Sequence, residues 1–155
     1  MRRIALVLVA VLAAAAVAVA VAGATGHQGR AAAAHPSLQL RKTKLGRIVV
    51  DARSRTLYLF EKDRRGRSAC YGACAGAWPP ALAGGRVTVG RGLSARRAGT
   101  TRRRDGKRQL TYGGHPLYRF APDANRPGST KGQGVDGFGA KWYVVASSGR
   151  KIDKD

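Results

Sequence analysis

The side chains of this 155-residue chain whose types and spacing could do chemistry are few: a cysteine pair, two matching aspartates and one histidine outside the N-terminal region. Cys70 and Cys74 are the only cysteines. Within Cys70-Tyr71-Gly72-Ala73-Cys74 they could close a local disulfide, act as a dithiol redox pair, hold a soft metal or stay as free thiols. Two thiols in an oxidising compartment most often pair, and Gly72 gives so short a loop the freedom to close. A loop this small gains little chain-entropy stabilisation, so a disulfide here would mainly shape the loop leading to Trp78. No Met or His neighbours the pair to complete a copper or zinc shell, and the spacing is neither a haem-attachment nor a thioredoxin-like motif.

Asp63 and Asp123 each lie five residues beyond a tyrosine, Tyr58 and Tyr118. As a pair they could serve as acid and base or as cation ligands. Their matching placement suggests instead one local job done twice, and an Asx-type turn after each strand would account for it. His115 sits in Gly113-Gly114-His115-Pro116, with no serine marked as its partner in a nucleophile–base set, and reads as a turn residue. Gly132 to Gly137 spells G-x-G-x-x-G, but no helical pattern follows, and Ser129-Thr130-Lys131-Gly132 runs in the wrong order for a phosphate loop. These features supply no catalytic constellation, so the sequence predicts no enzyme, no cofactor and no metal.

The elements that must position these residues are short strands. Leu57-Tyr58-Leu59-Phe60-Glu61-Lys62-Asp63 matches Leu117-Tyr118-Arg119-Phe120-Ala121-Pro122-Asp123 at an offset of 60 residues. A β-prone run and a turn precede each copy: Ile48-Val49-Val50-Asp51 before the first, Gln109-Leu110-Thr111-Tyr112 before the second. Each copy therefore predicts a β-hairpin, followed by a glycine-containing loop and a tryptophan, Trp78 or Trp142. The second tryptophan opens a further strand, whereas the first runs into Pro79-Pro80, which cannot continue a central strand. Arg86-Val87-Thr88-Val89 is a weaker strand candidate. No segment holds a 3.6-residue apolar period. Because Leu59 becomes Arg119 while Tyr and Phe are kept, the Tyr58/Phe60 and Tyr118/Phe120 face is the one expected to meet the core, each buried hydroxyl with a partner.

All ten aromatic residues lie between Tyr58 and Tyr143, which locates that core. Ahead of it, residues 1–24 read as a signal peptide: Arg2 and Arg3, an apolar run over 4–22, then Ala22-Gly23-Ala24 as the cleavage pattern. An uncleaved anchor is the alternative, given the length of the run. No cysteine occurs before Cys70 to carry a lipid. Residues 25–43 read as a disordered linker, 44–148 as a domain of two repeats and 149–155 as a charged tail. The net charge of +21 favours anionic partners, such as an anionic cell-wall polymer or a lipid surface. Specific nucleic-acid recognition lacks any helical basic stripe or zinc-finger spacing, and membrane contact would run only through an uncleaved N-terminal segment.

The pieces VVDARSRTLYLFEKD, CYGACAGAWPP, YGGHPLYRFAPD and GFGAKWYVV, in that order, resemble the bacterial "secreted repeat of unknown function" family, often described as lipoproteins with a repeated Tyr-x-aromatic-x-x-Asp motif. The resemblance covers about residues 44–147 and implies an extracytoplasmic, often membrane-tethered protein. Members commonly carry a lipidated cysteine after the signal segment, and many have Trp-His where this chain has Trp142-Tyr143, so no role of that histidine carries over. The combined expectation is an all-β, exported cell-envelope or secreted protein. Its leading functional reading is a non-enzymatic binding module for anionic surfaces; the alternative is a redox or metal-handling protein using Cys70 and Cys74.

Overall fold

A computed structural model describes residues 37–64 and 66–154. The expected signal peptide and the linker up to residue 36 lie outside the described residues. The described residues form eight short strands: β1 Leu38–Thr43, β2 Gly46–Asp51, β3 Tyr58–Phe60, β4 Ala98–Arg102, β5 Arg108–Tyr112, β6 His115–Pro116, β7 Asp136–Gly137 and β8 Ala140–Val144. A single-turn helix, α1 Ala73–Ala77, begins within the cysteine loop and contains Cys74. Every strand pair in the three small sheets is antiparallel, and the expected all-β class holds.

The two halves repeat the same plan. β1 pairs β2 around Gly46, and β4 pairs β5 around Gly106; both glycines sit at positive φ, +105° and +79°, where a side chain would strain the turn. The second edge of each inner strand then receives the returning chain: the Leu57 amide donates to the Val49 carbonyl, as Leu117 does to Leu110. These are the two expected hairpins.

What joins the halves is a reciprocal exchange. The Tyr58 and Tyr118 amides each donate to the other's carbonyl, at 2.9 Å both ways, so the two motif strands meet antiparallel about a local pseudo-twofold. The tryptophan segment of each half crosses to the other half. β8 pairs with β3, and Val49 donates to the Val145 carbonyl. In the mirror arrangement Pro80 bridges Tyr118, and Leu110 donates to the Ala81 carbonyl. Pro79 and Pro80 fit because neither amide is required: the Pro79 carbonyl accepts from Arg119. Each half lacks an edge partner that only the other supplies.

Two apolar clusters flank this seam. One gathers Leu38, Val49, Leu57, Leu59, Leu110 and Leu117; the other gathers Ile48, Tyr58, Phe60, Trp78, Tyr118 and Trp142. Tyr58, Phe60 and Tyr118 are fully enclosed and Phe120 is half-buried. The Tyr/Phe face thus meets a core as expected, and the leucine face is buried as well: β3 is a central strand covered on both sides, not a one-sided one.

Three boundary expectations need correction. Residues 38–43, placed in the linker, form β1, because Leu38 is fully buried and the stretch is bonded to β2 along its whole length. The charged tail folds back: Ile152 donates to the Val144 carbonyl and its side chain packs on the aromatic cluster. Arg86 to Val89 forms no strand; it meets the start of β1 through a bridge of Val89 to Leu38 and bonds between Thr88 and Ser37, and Val87 and Val89 pack on the leucine cluster described above.

Candidate functional site

The structure brings the repeat-motif residues Tyr58, Phe60, Asp63, Tyr118, Phe120 and Asp123, the tryptophans Trp78 and Trp142, and the Cys70–Cys74 pair into one neighbourhood. At its centre lies a four-ring stack, Phe60–Trp142–Trp78–Phe120, with centroid spacings of 3.9, 3.9 and 4.1 Å. Tyr58 meets Trp78 edge-on at 5.4 Å, and Tyr118 meets Trp142 in the same way at 5.1 Å. The tryptophans therefore stack on each other at the pseudo-twofold, and each outer ring comes from the opposite half. Such edge-on and stacked pairs add to the energy of area burial.

The tyrosine hydroxyls are satisfied by a second exchange. Tyr58 donates to Asp123 Oδ2 at 2.6 Å and Tyr118 to Asp63 Oδ2 at 2.9 Å. Each motif aspartate thus serves the other repeat's tyrosine. Asp123 makes a longer closure than the short Asx turn the spacing suggested, accepting from the Lys131 amide and the Ser129 hydroxyl, and Asp63 accepts from the Ala69 amide. The aspartates close loops of six and eight residues while bridging the halves. Burial and the facing carboxylate push both phenols well above their ordinary range, so both remain donors.

Burial also raises the Asp63 carboxyl to about 6, against the opposing pull of the Ala69 amide, the Tyr118 hydroxyl and the Arg103 charge. A folded carboxyl that holds its proton more tightly than the unfolded one, near 3.8, stabilises the fold below that pH. The contribution is lost as pH rises through 6. Asp63→Asn, which keeps a neutral side chain at every pH, is expected to gain on wild type by on the order of 2 kcal/mol between pH 4 and 7 in urea melts. A constant difference across that range would show the carboxyl to be ionised throughout.

Cys70 and Cys74 form a disulfide at the mouth of α1. Cys70 is fully enclosed, Cys74 is nearly so, and the cross-link lies against the tryptophan cluster. His115 pairs with Tyr112 at the β5–β6 turn and is half-buried, which lowers its pKa. The glycine-rich run has a packing explanation: a Cβ on Gly132 would stand 2.8 Å from Trp78 and 2.9 Å from Tyr58. Among the described residues no group of three or more His, Cys, Asp or Glu is placed to hold a metal ion.

The surface feature that these residues build lies between the cysteine loop and the β4–β5 tip. An open groove of about 800 Å³ is lined by Arg67, Ser68, Tyr71, Arg102, Arg103 and Arg104 among others. The run Arg102-Arg103-Arg104 reads as one basic patch, yet its members part company. Arg103 is buried, donating to Ser68 Oγ at 2.8 Å, to Gln109 Oε1 at 2.7 Å and to the Cys70 carbonyl at 2.9 Å. It anchors the groove floor, and the Arg103 and Arg104 guanidinium groups lie 4.3 and 4.1 Å from the Tyr71 ring centroid. Arg67, Arg102 and Arg104 are exposed, and none has an acidic partner among the described residues. A concave site with free guanidinium groups around a fixed aromatic can take an anion. Sequence reading found the arginines but not the groove, because nothing local marks Arg103 as interior.

The family model described as "secreted repeat of unknown function" matches residues 39–82 and 99–146. Each matched segment starts one residue after the start of an outer strand, β1 or β4. No curated protein and no solved structure matches the chain.

Proposed function

We propose, from the premise that this chain belongs to the family of secreted repeats of unknown function, that it is a non-enzymatic binding module for phosphate-bearing anionic surfaces of the cell envelope. The family places the protein outside the cytoplasm, and its two matched repeats are the two interlocked halves of the fold. The observation that carries the reading is the groove around Tyr71, where Arg67, Arg102 and Arg104 are exposed without counter-charges among the described residues. A chain of net charge +21 would be drawn to such a surface over a distance set by salt.

Burial of Cys70 argues against the redox alternative, since exchange requires a thiolate to reach a sulfur. The cross-link instead holds the loop that presents Tyr71.

Co-sedimentation with anionic and zwitterionic liposomes, and with purified cell wall, tests the reading. Retention on anionic material at low salt and release at high salt are expected. Each basic side chain near an anionic lipid surface contributes about 1 kcal/mol. Replacing Arg67, Arg102 and Arg104 together by alanine should therefore weaken liposome binding by about two orders of magnitude without moving the melting temperature. Equal retention of the triple variant would discard the groove, and no retention of the native protein at low salt would discard the reading.

A further inference from the structure

Three further arginines, Arg53, Arg55 and Arg119, form no part of that groove. Arg119 is where the two motif strands differ: its counterpart Leu59 is buried in the leucine cluster. At the equivalent position the first repeat holds an apolar side chain, so the arginine is particular to the second repeat. Its Nε is buried without a hydrogen-bond partner, as is the Thr56 hydroxyl oxygen. Both residues line one notch of about 10 Å³, with Arg55, Phe120, Asp123 and Asn125. Arg55 and Arg119 also line an open pocket of about 390 Å³ that takes in Arg53, Asp51, Leu82 and Leu110.

The carboxylates nearby are already engaged. Asp51 accepts from the Arg55 side chain and from the Arg53 and Arg55 amides. Asp123 is taken by Tyr58, Ser129 and Lys131. Among the described residues neither Arg53 nor Arg119 has an acidic partner. Burial and the Arg55 and Arg53 charges push the Arg119 guanidinium below its ordinary value, with Asp51 opposing. An unpartnered buried donor and uncompensated like charges both cost stability. An anion in the open pocket would relieve the like charges.

We propose that Arg119 and Arg53 form a binding site for a phosphate ester in this open pocket. Its oxygens accept from the Arg119 and Arg53 guanidinium groups in the open pocket, and the esterified group lies along Leu82 and Leu110. A tetrahedral anion has enough acceptors for two guanidinium groups at once, and the pocket is of the size that holds a small organic ligand. The site is separate from the Tyr71 groove and does not rest on it.

The test is an NMR titration of the exported protein, carrying labelled arginine side chains, at about 0.15 M ionic strength. The probes are glycerol phosphate and inorganic phosphate. Saturable shifts of the Arg119 and Arg53 guanidinium signals are expected, with glycerol phosphate the tighter ligand. Arg119→Leu copies the residue of the first repeat and should fold; it is expected to bind at least tenfold more weakly. Should it fail to fold, Arg119→Gln serves the same comparison. The Arg67, Arg102 and Arg104 alanine variant should bind glycerol phosphate as the native protein does, even where its surface retention is lost. Equal affinities for the two probes would replace the ester by free phosphate. Unchanged affinity in Arg119→Leu, or shifts confined to the Tyr71 groove, would overturn the site.

Discussion

Trp142→Ala is expected to lower the stability of the domain by about 3–5 kcal/mol, the range for deleting a buried aromatic ring. Trp142 is completely enclosed. Its ring is stacked at 3.9 Å on both Phe60 and Trp78, met edge-on by Tyr118, and its Nε1 donates to the Gly137 carbonyl at 3.1 Å. Truncation would open a void at the pseudo-twofold, where rings from both halves meet and neither can close the gap alone. Against a total stability of about 5–15 kcal/mol for a domain, this loss is decisive, and a fall in melting temperature of about 15–25 °C follows for a domain near this size. Phe138→Ala is the control: the side chain is 44% exposed, and little change is expected. A Trp142→Ala melt within a few degrees of the native protein would mean that the stack is not the centre of the core.

The second large effect belongs to Asp123. Asp123→Ala removes the acceptor for the Tyr58 hydroxyl, the Ser129 hydroxyl and the Lys131 amide together. Each donor left unpaired in a buried place costs about 1–3 kcal/mol, so a loss of about 3–5 kcal/mol is expected, and Asp123→Asn should lose less because it keeps an oxygen acceptor. The more discriminating result is the pairing. A double-mutant cycle of Tyr58→Phe with Asp123→Ala should show a coupling of about 1–2 kcal/mol, and Tyr118→Phe with Asp63→Ala likewise. Pairs drawn from one repeat, Tyr58 with Asp63 or Tyr118 with Asp123, should be nearly additive. Coupling within repeats and none across them would contradict the exchange on which the account of this fold rests.

Much of the architecture was legible along the chain. The Tyr-x-Phe-x-x-Asp duplication fixes two equivalent strands, and the β-prone runs before them fix two hairpins, because alternation and turn residues are local properties. The outer strands β1 and β4 were missed for the same reason. Leu-Gln-Leu-Arg-Lys-Thr and Ala-Gly-Thr-Thr-Arg carry little β-propensity of their own and are held by partners: β1 by β2 and by the Thr88 carbonyl, β4 by β5. A usable signal existed in the spacing of Gly46 and Gly106, which are 60 residues apart like the motifs and close equivalent turns.

The amino-acid order by itself determined that there are two units, which residues each unit repeats, and that aromatic rings and a cysteine loop form its centre. It could not decide which unit's aspartate meets which unit's tyrosine, since both arrangements leave the local pattern unchanged. Tertiary structure decided that in favour of the crossed pairs, because the two motif strands bond to each other and carry each hydroxyl toward the opposite loop. It also decided that Arg103 is interior while Arg102 and Arg104 face the groove, and that Arg119 borders a pocket where Leu59 fills a core. Among the three consecutive arginines and between the two possible Tyr–Asp pairings, residue type is the same; what differs is the distant chain that packs against the side chain.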